Sequence, residues 1–404
     1  AAPSVATASG LNIAPGATTV IALPNPFIPT TSGGYDVSVE ITQVNGAMDS
    51  DPSNNTVSGS AIFYDPTNVA VRTPLYEVYT SSTCGPCTPG NENMHAILDP
   101  KDQTTFNYIK FQQNFPGSGD PYVTDEAVAR RGYYGINSIP RMEIDGGWDG
   151  NANSFTEVLH TEAIAVPAVA NLTATAATDV NGQAVSYEVT VSPLINMPKD
   201  AINVYVAIVE NRTTANTGNN GETEFLNVMK KMVKGASGEA MAAWTPGTDI
   251  VISGSYVFPG DYRLPAGAAN AININTEHSV EEFTDLSVIT WVTFEDSKQV
   301  LQSEKAAATS SISNLVAPVV HELVTFPNPA SDVVNVSFNL NGNASFTIEL
   351  TDITGKVIDA RNAISYGGSV TTEFNVSDLA SGTYLVNVLD NGKVIATAKS
   401  VVRH

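Results

Sequence analysis

The chain has 404 residues, of which 42% are hydrophobic and 15% charged, and 19 Lys and Arg stand against 41 Asp and Glu for a formal net charge of −22. That length exceeds what one hydrophobic core normally serves, so three or four domains are expected, and the apolar content excludes a wholly disordered chain. The acidity repels phosphate backbones and anionic lipids, which excludes nucleic acid as an expected partner; no apolar run is long enough to span a bilayer, so no integral membrane protein is expected.

Residues Ala1 to Gly10 lack the charged and apolar regions of a leader, so the chain reads as already processed or as the tail of something longer. Short alternating runs follow at Thr19–Leu23, Tyr35–Val39 and Val57–Phe63, separated by Gly, Pro and Asn, and are expected as strands. Between two of them, Asp49-Ser50-Asp51-Pro52-Ser53-Asn54-Asn55 is a tight, oxygen-rich turn. Asp49, Asp51 and Asn54 are weak calcium candidates, since hard cations take such oxygens, but Asp and Asn favour turns unaided. No other cofactor is expected. The run from Val44 to Asn55 before a closing strand resembles the adhesion-type, immunoglobulin-like modules of bacterial surface proteins, which implies a partial module over 1–72.

Leu75–Tyr79 reads as a buried strand running into Thr80-Ser81-Ser82-Thr83-Cys84-Gly85-Pro86-Cys87. These are the only two cysteines, and random placement gives this separation roughly once in two hundred trials, so the spacing points to redox chemistry. Structural zinc needs four ligands, and His95, His160, His278, His321 and His404 form no local cluster to supply the others. A cysteine at a helix start feels the positive end of the helix dipole, which favours thiolate. Pro89 and Gly90 fall in the first turns of the following helix, so a kinked or late-starting helix is expected before Met94, Ile97 and Leu98. A second strand, Phe106–Phe111, leads through an irregular loop to Thr124, which should cap a helix through Arg131. Then comes Ile139-Pro140-Arg141-Met142-Glu143-Ile144, a proline placed directly before a strand.

Cysteine pair, helix and late proline, in this order, resemble the thioredoxin superfamily. The resemblance implies a thioredoxin-like domain over 73–165, a cis Ile139–Pro140 bond beside the cysteine pair, Cys84 as an exposed attacking thiolate, Cys87 as a buried resolving thiol, and Pro140 shaping a substrate groove. Arg141 is a candidate for biasing the local field toward thiolate. Two positions depart from the family pattern: Val78 stands where many members keep a buried acid, and Thr83 replaces the usual tryptophan before the first cysteine.

Beyond Pro167 the strand texture returns at 170–175, 184–191, 202–210, 250–253 and 286–294, which predicts a β-sandwich over 166–305. Within it, Phe225, Val228, Met229 and Met232 have helical spacing and predict a short helix docked on the sheet. The stretch Asn220 to Met232 resembles the insertion of the twenty-eight-kilodalton outer-membrane-protein-related family, which joins a thioredoxin-like domain to a β-domain. Small residues from Ala306 onward predict a linker over 306–321.

The tail carries Phe326-Pro327-Asn328-Pro329, Val333–Val336, Thr351–Val357, Leu379–Val388 and a closing Lys399–Val402. In this order they resemble the C-terminal sorting domain of the type IX secretion system. The resemblance implies a small sandwich over 322–404, the outer-membrane translocon as a partner, and export to the cell surface or beyond.

The expected fold class is multidomain and mostly β, with one α/β thioredoxin-like domain and immunoglobulin-like β-sandwiches on both sides. Three roles stay open for the cysteine domain: a structural or adhesive module, a thiol-disulfide oxidoreductase using Cys84 and Cys87, or a module binding a peptide or polysaccharide. A cycling reductase outside the cell lacks an obvious electron supply, so the disulfide is the expected resting state.

Overall fold

Gly33–Glu40 (β1) and Thr56–Phe63 (β2) pair antiparallel, with Tyr35 edge-on to Phe63. The structure, a computed structural model, describes residues 7–14, 16–22, 29–48, 51–198, 201–216, 218–310, 320–390 and 393–404. Among these, the N-terminal segment is a two-stranded ribbon. The expected strand at Thr19–Leu23 does not form over 19–22, where Val20 is 96% exposed, because alternation without a partner edge does not hold a strand. Leu23 lies outside the described residues. The ribbon is fastened by Gly34 N–H, which donates to Asn196 O (3.1 Å).

The α/β segment runs Leu75–Thr80 (β3), Cys87–Leu98 (α1), Asn107–Gln112 (β4), Asp125–Tyr134 (α2), Arg141–Ile144 (β5), Trp148–Gly150 (β6) and Glu157–Ala165 (α3). Strand β4 lies parallel to β3, while β5 pairs antiparallel with β3, and β6 with β5. One face packs Tyr76, Val78, Tyr108 and Met142 against Met94 and Leu98 of α1 and Ala163 of α3. Thr124 accepts from Ala127 N–H at the start of α2, and Gly135, at φ 72°, closes it in the left-handed conformation that glycine adopts without strain.

Helix α1 corrects the expectation of a kink or late start: it begins at Cys87 and runs unbroken to Leu98. Pro89 falls in the first turn, where its missing N–H has no intrahelical acceptor to lose. Gly90 lets α1 approach closely: a Cβ there would sit 3.1 Å from Pro140 Cγ and 3.2 Å from Ala152 Cβ, tighter than most such contacts.

Ten further strands follow: Ala170–Asp179 (β7), Ala184–Pro193 (β8), Ile202–Thr213 (β9), Phe225–Met232 (β10), Glu239–Ala240 (β11), Ile250–Val257 (β12), Asp261–Tyr262 (β13), Glu277–His278 (β14), Leu286–Phe294 (β15) and Gln299–Ser310 (β16). Hydrogen bonding does not stop at the expected 165/166 boundary. A single twelve-stranded sheet runs β12-β8-β7-β16-β15-β9-β10-β4-β3-β5-β6, with β11 on β9, and β10 joins β4 in parallel. The sheet folds back on itself, so β8 packs Val185, Val189 and Val191 against Val204, Val206 and Ile208 of β9. On the other face, Tyr205, Val209 and Trp291 of β9 and β15 continue alongside Tyr79, Phe111 and Met229 of the neighbouring strands β3, β4 and β10, and Ala127 and Tyr134 of α2 join them. Burial on both faces explains why all of β15 is enclosed and its apolar residues do not alternate with polar ones.

The same burial corrects the expected helix: Phe225–Met232 is strand β10. Asn227, at φ 49°, and a register shift between Met229 and Lys231 twice break the strand's alternation, and the resulting apolar spacing mimics a helical one. The linker expectation is also shortened at its start. Ala306 to Ser310 complete β16, pairing with β15 and β7, and residues 311–319 lie outside the described residues.

A buried ion pair fastens α2 to the sheet. Arg130 donates from Nε to Glu77 Oε2 (2.7 Å) and from Nη2 to Glu77 Oε1 (2.9 Å), with both side chains almost wholly enclosed. The guanidinium carbon lies 4.3–5.5 Å from the rings of Tyr133, Tyr134, Tyr205 and Trp291. These rings come from α2, β9 and β15, so one cation joins three elements. Arg130 Nη1 has no hydrogen-bond acceptor, and the ring faces supply its electrostatic compensation.

The C-terminal strands are Val320–Phe326 (β17), Val333–Asp352 (β18), Val357–Asn375 (β19), Gly382–Asp390 (β20) and Lys393–Val402 (β21). The long β18–β19 hairpin borders β17 along its first half and β20 along its second. Val334, Val336, Phe338, Phe346, Ile348, Leu350, Phe374, Val386 and Val388 form a core that shares no residue with the other clusters.

Candidate functional site

The turn after β3 places Cys84 and Cys87 at the entrance to α1, and the two are joined as a disulfide with Cα atoms 5.3 Å apart. Cys84 N–H donates to Ser81 O and Cys87 N–H to Cys84 O, each at 3.0 Å, so the turn is internally closed before the helix begins. The Ile139–Pro140 bond is cis, Pro140 is buried, and Ile139 O lies 3.9 Å from Cys84 Sγ. Cys84, Cys87 and Pro140 are therefore brought together.

The expected exposure of Cys84 is corrected. It is 2% exposed and Cys87 0%, while in the turn Gly85 and Pro86 are exposed and Thr83 is half-buried. Three walls account for this. Ile139 and Pro140 form the first, and the loop around Pro116 the second, where Thr83 Oγ1 donates to Pro116 O (2.7 Å). The third is the β9–β10 loop, through residues 214–216 and 218–224. Asn220 N–H donates to Ser82 O (3.1 Å), Asn220 Nδ2 to Ser81 O (3.3 Å) and Cys84 O (3.4 Å), and Asn216 Nδ2 to Ser82 Oγ (2.9 Å).

Behind the turn lies a polar layer that sequence reasoning missed. Asp120 is fully buried and accepts from Ser82 N–H (2.7 Å) and Tyr122 N–H (2.8 Å). Burial raises its carboxyl above the usual range, and those two bonds oppose the rise. Asn91 Nδ2 donates to Thr80 Oγ1 (3.1 Å) and to Glu222 Oε1 (2.7 Å). The Asn220-Gly221 dipeptide was the available turn signal for this loop, but nothing local connects it to the cysteines.

The departures noted in the sequence have structural counterparts. Val78 is buried in the apolar layer under α1, with no carboxylate in its place. Arg141 is engaged bidentately by Asp149, which corrects its candidacy for biasing the cysteine field: its charge is already paired. Of the calcium candidates, two lie among the described residues. Asp51 accepts from Ser53 N–H (3.1 Å) and Oγ (2.5 Å), Asn54 ends the same short helical turn, and Asp49 lies outside the described residues. Among the described residues no group of three His, Cys, Asp or Glu could hold a metal ion.

One buried acid near this site titrates abnormally. Glu143 stands opposite Glu77 across β5 and β3, and burial, followed by its hydrogen bond to Asp149 and the charges of Asp149 and Glu77, pushes its carboxyl up to about 9. It is thus protonated in the folded state at neutral pH and ionised in the unfolded one. The unfolded chain binds fewer protons, so stability falls as pH rises from the ordinary carboxyl range toward about 9, then levels off. Glu143→Gln should flatten this slope and stabilise the protein at pH 8 by at least about 1 kcal/mol, measured by urea unfolding across pH 5–9. A slope equal to wild type would refute it.

Residues 324–403 match the secretion system C-terminal sorting domain. The chain is a type IX secretion substrate, exported across the outer membrane to the cell surface or the extracellular space, and the tail engages the secretion machinery. No helix among the described residues is long and apolar enough to cross a membrane. No curated protein matches the chain. Among solved structures it is similar to HBP35 of Porphyromonas gingivalis, at 13% identity over 83% of this chain and 99% of that one, with a TM-score of 0.47. It is also similar to a structural-genomics target from Agrobacterium tumefaciens, at 14% identity over 61% of this chain and 97% of that one, with a TM-score of 0.36. At these scores neither likeness informs the chemistry of the cysteine turn.

Proposed function

We propose that this exported protein carries a thioredoxin-like unit used as a structural module of the cell surface, in which Cys84–Cys87 staples the turn between β3 and α1. The burial of Cys84 on three sides carries this reading: a disulfide exchanges only when a thiolate reaches one of its sulfurs in line, and here neither sulfur is presented. The reading extends to the family resemblance, since the order of strand, cysteine turn, helix and Pro140 strand is that of a thioredoxin-like domain joined to a β-domain.

A second reading, a thiol-disulfide oxidoreductase, is favoured by the approach of Ile139 O to Cys84 Sγ. It places an open backbone acceptor beside the reactive sulfur once the walls part. The two are separated by the Cys87→Ser variant, which leaves Cys84 without its resolving partner. The structural reading expects no mixed disulfides with other proteins and no catalysis of test-protein reduction by the wild type. Trapped partners together with catalysis would overturn it. For the staple itself, closing so short a loop is worth about 2 kcal/mol on chain-entropy grounds. The Cys84→Ser/Cys87→Ser chain should therefore lose about that much stability by denaturant titration, and an unchanged midpoint would refute the staple.

A further inference from the structure

The β9–β10 loop makes a set of contacts with the cysteine turn that strand connection alone does not require. Besides the bonds from Asn216 and Asn220 to Ser81, Ser82 and Cys84, Thr88 Oγ1 on α1 donates to Asn220 O (3.1 Å). Asn220 Nδ2 also donates to Glu222 Oε2 (2.6 Å), whose other oxygen receives Asn91 of α1. The approach is as close as the backbone permits: a Cβ on Gly218 would lie 2.5 Å from Ser82 Cβ and 2.7 Å from Ser82 O.

The base of the loop is anchored with equal care. Glu281 accepts from Thr214 N–H (2.9 Å), Ala215 N–H (3.1 Å) and the Tyr122 hydroxyl, and the Tyr122 oxygen accepts from Asn216 N–H (3.0 Å). Lys230 Nζ sits 3.9 Å from the Tyr122 ring centroid and 3.1 Å from Glu210. A chain of contacts, buried at Tyr122, Asn216 and Lys230, thus joins the cysteine turn to β9 and β10, far along the sequence.

We propose that this loop is a latch on the disulfide and that Asn220 is its positioning residue: by binding the carbonyls of Ser81, Ser82 and Cys84 it holds the turn closed and denies thiols access to Cys84 Sγ. The proposal rests on the staple reading and adds a control to it. The disulfide is protected by a segment of the β-domain, and whatever lifts that segment exposes an exchangeable bond.

The step at issue is reduction by a small dithiol such as dithiothreitol. A reagent thiolate attacks Cys84 Sγ, its electron pair forms the new S–S bond, and Cys87 leaves as a thiolate. The reagent's second thiolate then displaces Cys84, so the reagent ends as its cyclic disulfide and the protein holds two thiols after protonation. Latch closure precedes the first attack and should set its rate.

The test is the second-order rate of dithiothreitol reduction of the full chain at pH 8, for wild type, Asn220→Ala and Gly218→Ala, each at several sub-denaturing urea concentrations. Asn220→Ala removes the side-chain bonds to two carbonyls and Glu222, and Gly218→Ala pushes the loop off Ser82 without deleting a polar group. Each should raise the rate at least about tenfold, with a weak urea dependence that marks local opening. Rates equal to wild type would overturn the proposal. So would a gain that vanishes when variants are compared at equal global stability, because the loop would then act on folding alone. Neither outcome touches the staple reading, which is judged by the stability of the cysteine-free chain.

Discussion

Arg130→Met is expected to cost about 3–5 kcal/mol, the usual price of leaving one member of a buried ion pair unpaired. Glu77 would keep its burial on β3 and lose both guanidinium bonds, retaining only the hydroxyls of Tyr134 (2.6 Å) and, more distantly, Tyr79 (3.4 Å). Four aromatic rings would lose their shared cation as well. The effect should be recoverable. Glu77→Leu in the Arg130→Met background removes the orphaned carboxylate, and well-packed apolar pairs commonly match or exceed the ion pairs they replace. A double-mutant cycle by urea unfolding, with hydrogen exchange at β3 and α2 to localise the loss, measures the coupling. If Arg130→Met alone costs under about 1 kcal/mol, the pair does not hold α2 to the sheet.

Loss of the tail should produce an all-or-none effect on location. A chain ending before Val320 is expected to be absent from the cell surface and medium of a bacterium carrying the type IX machinery, and to accumulate inside the outer membrane. The physical basis is that the tail has a core of its own: Val334, Val336, Ile348 and Val388 belong to a cluster formed by residues 320–402, while β18 also borders β12 of the twelve-stranded sheet. The twelve-stranded sheet keeps every residue of its own clusters after truncation. Surface proteolysis and fractionation provide the measurement, with urea unfolding of the truncated chain as the control for folding. Surface display of that chain at the wild-type level would refute the assignment. A carboxylate in the tail's core, as in Val336→Asp, should reproduce the defect, since an unpaired buried charge is too costly for so small a core to absorb.

The two predictions concern opposite ends of what amino-acid order can convey. The sorting tail is legible because its motifs are local: strands of alternating residues, a proline-rich start and glycine turns, all within about eighty positions that pair with near neighbours. The same holds for the strand before Cys84, for the helix capped by Thr124 and for the proline at 140. Each is specified by residues within one or two turns of itself, and each stands where the sequence placed it.

Elements buried on both faces were the hardest to read. Strand β10 resembled a helix because both its faces are covered, Met229 and Met232 in one cluster and Phe225 and Val228 in another, so no solvent face imposes alternation, and Asn227 and the Met229–Lys231 shift disturb what remains. Ala306 to Ser310 resembled a linker because small residues suit the junction where β16 meets β7 in parallel. Composition alone does not separate a crowded junction from an open one.

The amino-acid sequence by itself determined that this is an exported, mostly β protein with one cysteine pair at a strand-to-helix turn. Only the tertiary structure decided what surrounds that pair. Asp120 reaches Ser82 from 38 positions away, and Asn220 reaches Cys84 from 136. Contacts of that span leave no periodicity to detect, because they depend on how the sheet folds back and not on the residues beside them. The change from an accessible thiol to an enclosed disulfide is a property of that fold, and it is the property on which the proposed role of the cysteine turn depends.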